Sequence, residues 1–121
     1  MRNILLIEDN PGDQELFKEA INDMPFECNV FMASNAEEGL TRMKEHQVDL
    51  IVLDVMMPGG NGYELCNILK FGSSYKEVPI LMLTGREQEM NPKIGKKMDI
   101  FYMQKPCTAK GLLEIFQHIL K

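Results

Sequence analysis

The chain has 121 residues, 45% of them hydrophobic and 26% charged, with a formal net charge of −5. That length supports one hydrophobic core and not two, and the acidic balance argues against a surface that binds a phosphate backbone, and so against nucleic acid. No apolar run reaches bilayer-spanning length, and Met1-Arg2-Asn3 leads into a strand pattern instead of a signal peptide.

In chain order, the first apolar run, 4–7, predicts a strand buried on both faces that ends in Glu8-Asp9. Asn10-Pro11 offers an N-cap followed by proline at the first helical position, and Leu16, Phe17, Ala20, Ile21 and Met24 recur at helical spacing. The run 29–32 predicts a second strand. Ser34-Asn35-Ala36-Glu37 then reads as a capping box, with Ala36, Leu40 and Met43 on one face of the helix it opens. A third strand, 50–53, ends at Asp54, where the Pro/Gly-rich loop 55–62 begins, and Leu65, Cys66 and Leu69 mark the helix after it. The fourth strand, 80–83, ends in Thr84-Gly85. The stretch 91–97 allows about two turns of a fourth helix, with Pro92 at its start and Gly95 weakening it. The fifth strand, 100–103, runs into Lys105-Pro106. Thr108 can cap a final helix whose stripe is Leu112, Leu113, Phe116, Ile119 and Leu120.

Short strands alternating with amphipathic helices predict an α/β fold: a parallel sheet with right-handed crossovers and helices on both faces. Residue 121 closes the last helix, so the expectation is one domain over 1–121 with no output domain.

Four strand ends carry polar groups: the acid pair Glu8 and Asp9, the lone acid Asp54, the hydroxyl of Thr84 and the ammonium of Lys105. Each has a structural alternative. The acid pair could complement the N-terminus of the next helix, Asp54 could start a loop, Thr84 could cap a turn, and Lys105 could sit on a surface turn. Taken together they suit a divalent cation and a phosphoryl group. A carboxylate that attacks a phosphoryl group meets charge repulsion at every oxygen, and the barrier falls only if a cation and hydrogen-bond donors hold that charge. Asp9, Asp54 and the Met56 backbone carbonyl offer the hard oxygen ligands that Mg²⁺ or Mn²⁺ takes. Lys105 offers a point positive charge.

The ordered set Ile7-Glu8-Asp9-Asn10, Leu53-Asp54-Val55-Met56-Met57-Pro58-Gly59-Gly60-Asn61-Gly62, Leu83-Thr84-Gly85 and Tyr102-Met103-Gln104-Lys105-Pro106 resembles the receiver domain of two-component response regulators, over nearly the whole chain. The resemblance implies a flavodoxin-like doubly wound sheet of five strands in the order 2-1-3-4-5. It implies Asp54 as phosphoacceptor, Asp9 as direct Mg²⁺ ligand, Glu8 acting through water, Lys105 contacting phosphate, and Thr84 with Tyr102 as a switch. The implied donor is a phosphohistidine on a sensor histidine kinase or a histidine phosphotransfer protein. The implied readout is the face formed by the fourth helix, fifth strand and fifth helix, toward a downstream protein target or a homodimer formed on phosphorylation.

The sequence departs from that family before the fifth strand, where Met98-Asp99 replaces a usual Gly-Ala pair. With Pro92 and Gly95 in the stretch 91–97, the fourth helix is expected to be short, shifted or mobile, which bears on the output face and not on the phosphorylation chemistry. Met56 and Arg86, two residues past Asp54 and Thr84, are candidates for setting the lifetime of a phosphoryl group. An aspartate-nucleophile phosphohydrolase of the haloacid dehalogenase type would want a second aspartate where Met56 stands. A receiver-like module that only binds partners is the remaining alternative, although a degenerate receiver commonly lacks an acid or the lysine. The cysteines Cys28, Cys66 and Cys107 lack zinc spacing and read as small apolar residues in a reducing compartment, the cytoplasm. Cys107, close to the Lys-Pro step, is the one expected to meet reagents. The ten methionines read as adaptable core filling, with a partner-binding surface as the alternative.

Overall fold

The computed structural model describes residues 2–54, 69, 77–84, 100–105 and 107–120. Every predicted apolar run becomes a strand, one or two residues longer than its apolar core: β1 (Arg2–Ile7), β2 (Cys28–Ala33), β3 (Leu50–Asp54), β4 (Ile80–Thr84) and β5 (Ile100–Gln104). All pairings are parallel, in one sheet of order β2-β1-β3-β4-β5, as the family resemblance implied.

Side chains alternate between the two sheet faces with the period of a strand. Leu5, Ile7, Ile51, Leu53, Ile80 and Met82 pack on one side with Met43 and Leu40. Those two belong to α2 (Ala36–Glu45). Ile4, Leu6, Leu50, Val52, Leu81 and Leu83 pack on the other with Phe17 and Phe116. These come from α1 (Pro11–Asn22) and α3 (Ala109–Ile119), the predicted last helix. The two rings lie 5.9 Å apart and join α1 to α3 across that face. Helices thus cover both faces, and among the described residues none is long and apolar enough to cross a membrane.

Two local expectations are corrected. β2 and β5 are not buried on both faces. They are the sheet edges, where only Ala33 of β2 and Ile100 of β5 are buried. An edge strand has a neighbour on one side only, so an apolar run there is left half-covered. The cap of α2 is Asn35, whose side chain accepts from the Glu38 amide at 2.8 Å, while the Glu38 carboxylate accepts from the Ser34 amide at 2.9 Å. The cap lies one residue later than Ser34, and the return bond from Glu38 goes to the residue before the cap instead of to the cap itself. Asn10 with Pro11, and Thr108, cap α1 and α3 as expected.

Gly39 marks the tightest approach of α2 to the sheet, since a Cβ there would come within 2.6 Å of Ile7 Cδ1. That closeness seats α2 beside the carboxyl end of β1. The expected helices around 65–69 and 91–97 lie outside the described residues, apart from the buried Leu69.

Candidate functional site

The strand order reverses its direction of growth between β1 and β3, and a parallel sheet opens a crevice at the carboxyl ends of the strands flanking such a point. Register brings the acids together there. Ile7 pairs with Leu53, so the next residue of β1's path, Glu8, comes level with Asp54. Glu8 remains tied to the sheet through its amide, which donates to the Ala33 carbonyl at 3.0 Å. Its side chain is fully buried and Asp54 is 5% exposed, whereas Asp9, the next residue, stands in solvent. One oxygen from each of Glu8, Asp9 and Asp54 lies within 4.8 Å of the others.

β5 delivers the counter-charge. Thr84 pairs with Gln104, and one residue further Lys105 turns its ammonium over the crevice. Its Nζ donates to Asp54 Oδ2 at 3.0 Å, to Glu8 Oε2 at 3.2 Å and to Asp13 Oδ2 at 3.0 Å. Three acceptors use the three donors of an ammonium.

The first turn of α1 completes the rim. The Asn10 side chain accepts from the Asp13 amide at 3.1 Å, the Gln14 side chain donates to the Glu8 carbonyl at 2.8 Å, and the Asn10 amide donates to Glu8 Oε1 at 3.1 Å. The start of the helix is thereby pinned to the end of β1. Asp13 was not among the residues picked out from the sequence. Its only sequence signal is an acid at the third position of a helix, which ordinarily marks the helix dipole, and its cation lies 92 residues away.

Charge balance identifies what the site can hold. Burial pushes the Glu8 carboxyl up to about 7, and the charge of Asp54 and a hydrogen bond with it push the same way, against the Asn10 amide and the Lys105 ammonium. Burial alone would lower the Lys105 ammonium. The hydrogen bonds to Asp13 and Asp54, with the charges of Glu8 and Asp54, outweigh it and hold the ammonium above its ordinary range. Among the described residues, four carboxylates thus face one cation. Enclosed acids in contact are stable only with a shared proton or a further positive charge. The donor set is all carboxylate oxygen, the chemistry that suits Mg²⁺, and the exposed Asp9 leaves it approachable. The residues present therefore fit a small hard divalent cation.

Of the sequence-predicted site, the structure brings together Glu8, Asp9, Asp54 and Lys105. Tyr102 lies two residues before Gln104 on β5, half-buried against the α2-side core. Thr84 closes β4. The Thr84 side chain, Met56, Arg86 and Pro106 lie outside the described residues. Cys107 is half-buried and burial raises its thiol, so it is a poorer nucleophile at neutral pH than its place beside the site suggested.

Comparison with known proteins agrees with this geometry. Residues 4–117 match the model of the response regulator receiver domain. The structure of the chemotaxis response regulator CheY4 of Vibrio cholerae superposes with a TM-score of 0.82 at 28% identity, covering 98% of both chains. Protein PilH of Pseudomonas aeruginosa is 26% identical over 99% of this chain and 98% of its own. The heme response regulator HssR of Staphylococcus saprophyticus is 32% identical over the whole of this chain and 52% of its own. The chain spans about half the length of several curated relatives that it matches, HssR and the DNA-binding response regulator MtrA of Mycolicibacterium smegmatis among them.

Proposed function

The chain belongs to the response regulator receiver domain family, and on that premise we propose that it is a phosphoacceptor switch in which Asp54 takes a phosphoryl group from a phosphohistidine. The observation that carries this reading is the ammonium of Lys105 bonded to Asp54 Oδ2 beside the clustered acids Glu8 and Asp9. The family match over 4–117 supports treating 1–121 as one receiver unit.

An Asp54 carboxylate oxygen forms the new O–P bond as the P–N bond of the donor breaks, and the bonding pair leaves on the imidazole nitrogen. Lys105 is already placed to follow the charge, since an N–H that now faces Asp54 can turn to a phosphoryl oxygen. Burial of Glu8 and Asp54 lowers the local dielectric and strengthens that contact. Asp9, Asp54 and Glu8, with the Met56 backbone carbonyl, would hold a Mg²⁺ or Mn²⁺ ion. When bound, such an ion neutralises charge between the acids and the incoming phosphoryl group. Self-assisted phosphorylation and dephosphorylation are thus activities of this chain's own residues, with Met56 and Arg86 as candidates for setting the phosphoryl lifetime.

The switch would run from Thr84 to Tyr102. These residues lie on the adjacent strands β4 and β5, and Met82 is the register partner of Tyr102. A phosphoryl group that attracts the Thr84 hydroxyl frees space for the ring and shifts the population toward an active form. The partners of this reading are a histidine kinase or phosphotransfer protein on the input side and a protein target, or a second copy, on the output side.

Intact mass after incubation with acetyl phosphate and Mg²⁺ tests it. One added phosphoryl group is expected, absent in Asp54→Asn and absent with a chelator. A folded protein that binds Mg²⁺ but gains no mass would instead support a receiver-like module that works without phosphorylation.

A further inference from the structure

Resting on the phosphoacceptor reading, we propose that Asp13 is a positioning residue: a tether on α1 that holds the Lys105 ammonium where one N–H faces Asp54. Asp13 is not one of the three acids whose oxygens cluster as a cation site. Its carboxylate reaches that site through Lys105, at 3.0 Å. Lys105 needs such a tether, because it stands at the end of the edge strand on a long, flexible side chain that is 26% exposed.

Asp13 is suited to the task. Its backbone is held by the Asn10 cap, and the same turn is bound to β1 through Gln14 and the Glu8 carbonyl. The tether is therefore fixed to the strand that carries Glu8, and its position relative to Asp54 follows from the sheet register. With Glu8 and Asp13 each taking one N–H, the third is directed at Asp54 Oδ2. Without Asp13, the ammonium is free to slide between its two remaining acids or to swing into solvent, and the incoming phosphoryl oxygen finds it correctly placed for less of the time.

A helix-dipole role for Asp13 would be merely structural, and a double-mutant cycle with Lys105 separates the two. The full chain with Mg²⁺ is phosphorylated by acetyl phosphate at increasing concentration, comparing wild type, Asp13→Asn, Asp13→Glu, Lys105→Met and the double variant Asp13→Asn/Lys105→Met. Asp13→Asn is expected to lower the saturating rate about 5- to 10-fold, because misplacing a catalytic group costs rate more than binding. The half-saturating donor concentration should stay within about twofold. Asp13→Glu should recover most of the rate, and Asp13→Asn should change Lys105→Met by less than about twofold. Urea unfolding of wild type, Asp13→Asn, Lys105→Met and the double variant, with chelator, should show a coupling of roughly threefold or more in the unfolding constant.

A wild-type rate in Asp13→Asn overturns the tether, as does an equal slowing of Lys105→Met, or the absence of coupling in unfolding. If the wild type gains no phosphoryl group, the phosphoacceptor reading fails and the tether's role falls with it. If the wild type gains the group and only the Asp13 variants show no change, the tether alone is lost.

Discussion

At the centre of the sheet, β1 and β3 lead into carboxylates that are almost wholly enclosed, while β5 at the edge leads into a lysine that keeps 26% of its side chain in solvent. The two regions handle charge in opposite ways. Central strands have neighbours on both sides, so Glu8 and Asp54 are held rigidly and must find their counter-charge locally. The edge strand leaves its terminal residue room to move. Buried acids opposite a partly solvated ammonium would let that ammonium turn one N–H to an incoming phosphoryl oxygen while Glu8 and Asp13 keep the other two.

The largest effect is expected from removing the proposed phosphoacceptor. Asp54→Asn, nearly isosteric, should abolish the mass gain from acetyl phosphate while the protein stays folded. Removing the edge cation comes next. Lys105→Met should slow phosphorylation by roughly 10²- to 10³-fold, the scale of losing one donor at developing charge. It should also cost about 1–3 kcal/mol of stability at pH 8, less than breaking a buried pair usually costs, because Glu8 can take up a proton. At pH 5, where Glu8 already holds its proton, the loss should shrink. Urea titrations at the two pH values check this.

A third variant sharpens the central half. The folded carboxyl of Glu8 is raised from 4.5 to about 7, so the folded chain holds this proton more tightly than the unfolded one. Its contribution is full below pH 4.5 and disappears as pH rises through 7. The chelated protein should therefore lose up to about 3 kcal/mol across that window. Glu8→Gln should flatten the profile, and millimolar Mg²⁺ should restore stability at the alkaline end. The smallest effect lies away from the site. Asn35→Ala should cost about 1 kcal/mol through the lost cap of α2, with phosphorylation unchanged, as thermal melts and the mass assay would show.

Most of the frame was legible in the sequence, because both periodicity and strand-end chemistry are local. Runs such as Leu50–Leu53 can only be strands at that length, and the acids, threonine and lysine stand at the ends of such runs. What escaped was what depends on neighbours. Val30, Phe31 and Met32 read as a core strand and turned out half-exposed, since nothing in an apolar run says which strand will lie at the edge. Ser34-Glu37 and Asn35-Glu38 fit the same capping pattern one residue apart, and only the backbone decides between them. Asp13 was overlooked because its partner arrives from the other end of the chain, through the packing of α1 beside the end of β5. Met56, Arg86 and the stretch 91–97 are outside the described residues.

The central claim is that Asp54 carries the phosphoryl group. Its most direct test is to phosphorylate the full chain with acetyl phosphate and Mg²⁺, reduce it with borohydride, which converts an acyl phosphate to the alcohol, and map the peptides by mass. Homoserine is expected at position 54, with intact aspartate at positions 9 and 13. An unmodified Asp54 in a chain that has gained a phosphoryl group, or reduction at another acid, would contradict it.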